Sequence, residues 1–303
     1  MHTEDRTAAK ITDTLPSWAP WALLWMGMAA ASFAAPLIRY TAEDSALAVS
    51  FWRCFAGAAI LAPFAWPSLR KRTKRELVPS SVAGLFLAAH FASWIASVNM
   101  TSVAASVLLV SLAPIFVAAI APRVLNEKLS PIGWVGIGLS LLGTVIISGG
   151  DFAGTSMSGN VLAIVGGATA GYYVLAGQIS RRHLGILEYA VVAYSVAGVV
   201  LFITCMIVGV DLWGYEPKMW WAIAGLVIGP QLLGHTVINL VLSDIDATSV
   251  AVTIMAEPII AIALAVVLFD EVPTWLLYPG GALILVGVYI VTVARKAIEP
   301  FPE

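Results

Sequence analysis

The sequence predicts an all-α integral membrane protein, with ten transmembrane helices arranged as two inverted five-helix repeats. Three observations lead there. Hydrophobic residues make up 60% of the 303 and charged residues only 11%, too few charges to cover a soluble domain of this length. Ten apolar runs, each close to the ~20 residues that cross a hydrocarbon layer, are joined by short linkers. A residue pattern in the first half also returns 144 positions later.

The runs fall at 18–38, 45–66, 79–98, 102–121 and 131–149, then at 157–178, 188–209, 218–240, 248–268 and 274–294. They divide the chain into a tail at 1–17, a first repeat at 18–149, a linker at 150–156, a second repeat at 157–294 and a tail at 295–303. The run from Trp18 to Ile38 exceeds the ~7–15 apolar residues of a signal-peptide core, so it is expected to be a retained helix. Linkers this short leave no room for a soluble domain and force neighbouring helices to pack antiparallel.

Orientation follows from the basic residues. With both termini cytoplasmic, the inner segments hold Arg6, Lys10, Arg70, Lys71, Arg72, Lys74, Arg75, Arg123, Lys128, Arg181, Arg182, Arg295 and Lys296. The outer side holds only Arg39 and Lys218, as the positive-inside rule requires. The inner loop Ser243 to Ala247 departs from this, with Asp244 and Asp246 and no base. The expected location is a bacterial inner membrane.

The repeat reads Pro-x12-Glu-x8-Gly-x6-Gly twice, as Pro114, Glu127, Gly136 and Gly143, then Pro258, Glu271, Gly280 and Gly287. Five crossings are odd in number, so the second half enters from the opposite side. Glu127 is then expected at the inner face and Glu271 at the outer. Inverted repeats give secondary transporters two mirror-related gates around one central site. A receptor or membrane enzyme needs no such symmetry.

The motif from Pro258 to Gly287, its fainter copy from Pro114 to Gly143, and Phe51-Trp52-Arg53-Cys54 resemble the EamA family of the drug/metabolite transporter superfamily. Within that family the chain looks most like bacterial exporters of aromatic amino acids. The resemblance implies ten helices, a central cavity and export of small metabolites.

Polar groups inside a span cost free energy and should face the bundle interior. Three stripes at four-residue spacing each share one helix face: Phe86, His90 and Trp94; Gln231, His235 and Asn239; and Ser249, Thr253 and Glu257, with Met255 nearby. The repeat offset places His90 nearer the midplane and His235 nearer the inner mouth. As a cavity, Trp94, Tyr172, Tyr173 and Met255 would accept an apolar or aromatic side chain. His90, Gln231, His235 and Asn239 would bond a carboxylate, and Glu257 or aromatic faces would receive an ammonium. The plainer reading has these groups satisfying one another between helices. Adjacent Tyr172 and Tyr173 point apart, so at most one faces a site.

Glu257 is either a proton carrier or a hydrogen-bonding strut. Arg53 either clamps a carboxylate or pairs with an interior acid to fix its helix; the structural reading is preferred here. Glu127 and Glu271, in matching turns, are assigned to capping the following helices. Gly167 and Gly171 form a small-xxx-small pair for close helix approach. Pro36, Pro114, Gly229-Pro230 and Pro258 interrupt backbone bonding near mid-helix and are the expected hinges.

Other chemistries lack their motifs. No phosphate loop of the Gly-x4-Gly-Lys-Ser/Thr kind occurs, so neither ATP hydrolysis nor an ATPase subunit is expected. No His-Glu-x-x-His, Cys-x-x-Cys or Gly-x-Ser-x-Gly occurs, and no metal, cofactor or enzymatic activity is expected. A net charge of -2 offers nothing to a nucleic acid. The predicted function is export of aromatic or large apolar amino acids by alternating access, by a monomer surrounded by lipid. The alternatives are an exporter of other metabolites or lipophilic drugs, or a membrane-embedded lipid-modifying enzyme.

Overall fold

The computed structural model describes residues 10–39, 41, 45–101, 103–126, 129–147, 156–257, 259–260 and 275–296. Among them there is no strand, and nearly every residue is helical. The helices are α1 (Ala19–Ala31), α2 (Ala34–Arg39), α3 (Ala46–Leu69), α4 (Lys74–Met100), α5 (Val103–Val110), α6 (Ala113–Val124) and α7 (Pro131–Ile147). They continue as α8 (Met157–Arg181), α9 (Ile186–Val208), α10 (Pro217–Leu226), α11 (Thr236–Leu240), α12 (Ala247–Ile254) and α13 (Leu277–Lys296), with a π-helical segment, Val227–His235, between α10 and α11.

Six stretches are long and apolar enough to cross a membrane: Ala19–Ile38, Ala46–Leu69, Lys74–Met100, Met157–Arg181, Ile186–Val208 and Pro217–Ser243. Ala113–Val124, Pro131–Ile147 and Tyr278–Ala294 are apolar but shorter. The described residues therefore support six full spans where the sequence predicts ten, and proline is part of the reason. A proline lacks the N–H that would bond the carbonyl four residues earlier, and its ring crowds that carbonyl. The first span breaks at Ser32–Phe33 ahead of Pro36, and the fourth breaks at Ser111–Leu112 ahead of Pro114. The ninth turns at Met255–Ala256, 144 positions after the break in the fourth. Pro258, Glu127 and Glu271 lie outside the described residues. Pro63, Pro67 and Pro79 sit inside unbroken helices, so proline alone does not dictate a break.

At Gly229-Pro230 the outcome is a wider turn. The Thr236 N–H bonds the Gln231 carbonyl five residues back, and the helix resumes without a gap.

Helix starts are set by local chemistry. Thr73 and Glu76 form a reciprocal capping box at α4, with Thr73 N–H to Glu76 Oε2 at 2.7 Å and Glu76 N–H to Thr73 Oγ1 at 3.4 Å. Asp246 caps α12 by accepting from the Ser249 N–H at 2.9 Å and its hydroxyl at 2.6 Å. Helix α9 ends on Gly209, whose φ of +78° is the left-handed conformation that glycine adopts without strain.

The helices pair as α4 with α8, α7 with α13, α3 with α9 and α1 with the π segment. Missing side chains permit the tightest of these crossings. A Cβ on Gly136 would lie 2.8 Å from the Gly287 carbonyl oxygen, and one on Gly280 would lie 2.7 Å from that of Gly143. Between them, the Ser140 hydroxyl donates to the Ile284 carbonyl at 3.3 Å, across 144 residues of sequence. Gly167 and Gly171 do the same for α8 against the broken fourth span, with 2.7 Å to the Val110 carbonyl and 3.0 Å to that of Ala113.

Candidate functional site

Four elements converge on one polar centre. Helix α3 brings Arg53, α4 brings His90, Phe91 and Trp94, α8 brings Tyr173, and the π segment with α11 brings Gln231, His235 and Asn239. Arg53 and Gln231 are both fully buried at 0% exposure. The Arg53 Nε donates to Gln231 Oε1 at 3.1 Å, while its guanidinium carbon lies 4.0 Å from the centre of the Phe91 ring. An interior acid was the expected partner of Arg53; an amide and an aromatic face take that place. Its terminal nitrogens, Nη1 and Nη2, and the Gln231 Nε2 meet no hydrogen-bonding partner among the described residues. Glu257, half-buried where the ninth span turns, is within electrostatic reach of Arg53.

Phe91 also joins the two histidines. Its ring centre is 5.3 Å from that of His90 and 5.3 Å from that of His235. The repeat offset predicts two depths for these histidines, yet both reach one phenylalanine. The His90 Nδ1 lies 2.9 Å from the Gly166 carbonyl oxygen. A carbonyl only accepts, so Nδ1 carries the proton of this bond. His90 stacks on Trp94 with planes 6° apart and centres at 5.9 Å. The third member of that stripe, Phe86, packs instead on Tyr172 at 5.2 Å.

Tyr172 and Tyr173 diverge, as adjacent helical residues must. Tyr172 lies between Phe86 and Phe116. Tyr173 is buried toward the centre, where the Asn239 amide donates to its hydroxyl at 2.7 Å and to the His235 carbonyl at 2.6 Å. Met255 sits elsewhere, in an apolar cluster with Met28, Ala118 and Val252. In the third stripe, Thr253 bonds back to the Ser249 carbonyl at 2.7 Å, and Ser249 belongs to the Asp246 cap.

A groove of about 690 Å³ lies apart from this centre, between α3 and α9, walled by Phe51, Phe55, Phe202 and Trp213 with small residues between them. Such a wall suits hydrocarbon better than a charged solute.

Three features escaped sequence reading. Arg181, expected in a loop, is 2% exposed and donates to the Asn239 carbonyl at 3.2 Å, the Leu240 carbonyl at 3.3 Å, the Ser243 hydroxyl at 3.3 Å and the Leu184 carbonyl. Arg72 makes a bidentate pair with Glu188 at 2.8 and 3.0 Å, and this carboxylate holds the guanidinium above its ordinary pKa. Asp244 accepts from the Ile11 N–H at 3.0 Å, the Thr12 N–H at 3.1 Å and the Thr12 hydroxyl at 2.8 Å, latching the N-terminal turn Ile11–Asp13. Burial pushes that carboxyl up, but these bonds and one from Ser243 outweigh it and hold the pKa below its ordinary 3.8. The unexplained acids of this loop are thus a latch and a helix cap.

Comparison with known proteins agrees with this architecture. The chain matches the EamA-like transporter family over residues 17–149 and again over 157–293. It is 24% identical over 273 residues to the uncharacterized transporter YdfC of Bacillus subtilis, covering 88% of this chain and 87% of that one. An uncharacterized transporter of Archaeoglobus fulgidus is 27% identical over 274 residues, covering 82% of this chain and 98% of the relative. A solved crystal structure, 19% identical, superposes with a TM-score of 0.75 over 93% of this chain and 99% of that one, which shows a shared fold.

Proposed function

Because the chain belongs to the EamA-like transporter family, we propose that this membrane transporter exports amino acids, preferably aromatic or large apolar ones, by alternating access. In this reading the chain has ten membrane crossings in two inverted halves, with both termini on the cytoplasmic side of a bacterial inner membrane.

One observation carries the proposal: a polar, aromatic-lined centre held between the two halves by the continuous helices α3, α4 and α8 and by the wide turn that leads into α11. Arg53, His90, Phe91 and Trp94 come from the first half, and Tyr173, Gln231, His235 and Asn239 from the second. The double family match and the crossing of Gly136 on Gly287 and Gly143 on Gly280, which an exchange of halves maps onto itself, support the inverted repeat. Contacts among the N-terminal turn, the Arg72 and Leu184 loops and the Ser243 loop support their sharing one face. The breaks ahead of Pro36 and Pro114 and the wide turn at Gly229-Pro230 are the proposed bending points, together with Pro258.

Full-length protein in liposomes should move labelled tryptophan or phenylalanine, with saturation and mutual competition. Transport of another solute with no flux of any amino acid would overturn the substrate assignment. Repeating the assay with an imposed pH gradient tests Glu257 as a proton carrier, since indifference to the gradient removes that role.

A further inference from the structure

Arg53 is a fully buried charge with most of its donors unpartnered among the described residues. A guanidinium offers five N–H donors and stays protonated in proteins. Here one donor meets Gln231 Oε1, the flat face rests on Phe91, and the remaining four, on Nη1 and Nη2, have no partner among the described residues. Gln231 turns its carbonyl oxygen to Arg53 Nε, and its own Nε2 is unpartnered as well. Both side chains are 0% exposed. Burying polar hydrogens without acceptors is costly, and burying a charge so is costlier still. Packing alone would be better served by an apolar side chain, which commonly replaces buried charges at no loss of stability.

The geometry suits an oxyanion. Two terminal guanidinium nitrogens form a flat fork that matches the two oxygens of a carboxylate, and the Gln231 amide adds a further donor. Gly57, one turn along from Arg53, makes this possible: a Cβ there would meet Gln231 Cγ at 3.2 Å. We propose that Arg53 and Gln231 form the carboxylate-binding subsite of the transport pathway, taking the anionic head of the solute between Nη1, Nη2 and Gln231 Nε2. This rests on the reading of the centre as the path of a solute, and it moves Arg53 from a structural role to a binding one. Glu257, within electrostatic reach of Arg53, offers an acid to an ammonium, so the site suits a zwitterion.

The test compares each acid with its uncharged isostere. Purified full-length protein in detergent is heated with phenylacetate or indole-3-acetate, and with phenylacetamide or indole-3-acetamide, and the half-stabilising concentration of each is read. The wild type should favour acid over amide by roughly tenfold or more, the scale of charge-assisted hydrogen bonds. Arg53→Met and Gln231→Glu should bring that ratio to about 1, the latter because its own carboxylate fills the fork; Arg53→Lys should keep part of it. Should Arg53→Met not fold, Arg53→Lys and Gln231→Glu carry the test, since both keep the centre polar. A wild type blind to the acid, or folded variants that keep the full ratio, would overturn the subsite. Acid preference without amino-acid flux in liposomes would leave the subsite standing and remove the substrate assignment. Flux without acid preference would do the reverse.

Discussion

Two arginines in this bundle are nearly equal in burial and opposite in circumstance. Arg181, at 2% exposure, gives its N–H groups to three main-chain carbonyls and a hydroxyl where α8 meets the end of α11. Arg53, at 0%, gives one of five and leans on a phenyl ring. The first clamps the last carbonyls of α11 and the loop carbonyl of Leu184. The second leaves donors open in the middle of the molecule. Burial alone therefore does not reveal a residue's role; the tally of its partners does.

Exchanging each arginine for methionine breaks the comparison most directly. Arg181→Met should cost about 2–4 kcal/mol, since several carbonyls lose a charged donor together. Arg53→Met should stay within about 1 kcal/mol of wild type while losing acid preference. Unfolding in a graded detergent series reads both, and equal destabilisation would erase the distinction.

The α7–α13 crossing sharpens the same point for a contact with no charge. Gly136→Ala forces a methyl against the Gly287 carbonyl and should cost about 1–3 kcal/mol. Gly138→Ala, with nothing within 4 Å of the added carbon, should be neutral or gain up to about 1 kcal/mol in helix propensity. The same unfolding series checks the pair. Closer to the centre, Gly57→Ala should nudge Gln231 by tenths of an ångström and weaken acid binding roughly two- to fivefold.

The smallest effect belongs to Asp244. Its pKa is depressed in the folded chain, so its contribution to the latch is complete above the ordinary carboxylate value. That contribution disappears as pH falls through the depressed value. Amide exchange at Ile11 and Thr12 should accelerate only below about pH 4. Acceleration near neutrality would show that the turn is held by something else.

Much of this was legible because membrane constraints are written in composition and spacing. The apolar runs located the long helices, although α4 begins at Lys74, before the predicted 79, on a Thr73-Glu76 capping box that marks the start in plain sequence. The 144-residue offset picks out Gly136, Gly143, Gly280 and Gly287, the four glycines that meet where α7 crosses α13. Breaks were expected at prolines and occurred at some, because whether a carbonyl finds another donor depends on neighbours that the local sequence does not name. Arg181 was hidden among loop cations, since charge type says nothing about depth. Asp246-x-x-Ser249 ahead of an apolar run was a readable cap. Asp244 was not readable, because its partners lie 232 and 233 residues away. Stripe spacing grouped His90 with Trp94, and Gln231 with Asn239, but it missed Phe91, which touches residues of both stripes only in three dimensions.

The wide turn at Val227–His235 holds one residue more than an α-helix would need there. Each residue added or removed rotates everything downstream by about 100° about the helix axis. Winding the same residues as an ordinary α-helix would swing Asn239 off Tyr173, so this interior depends on one extra amino acid being taken up at that turn.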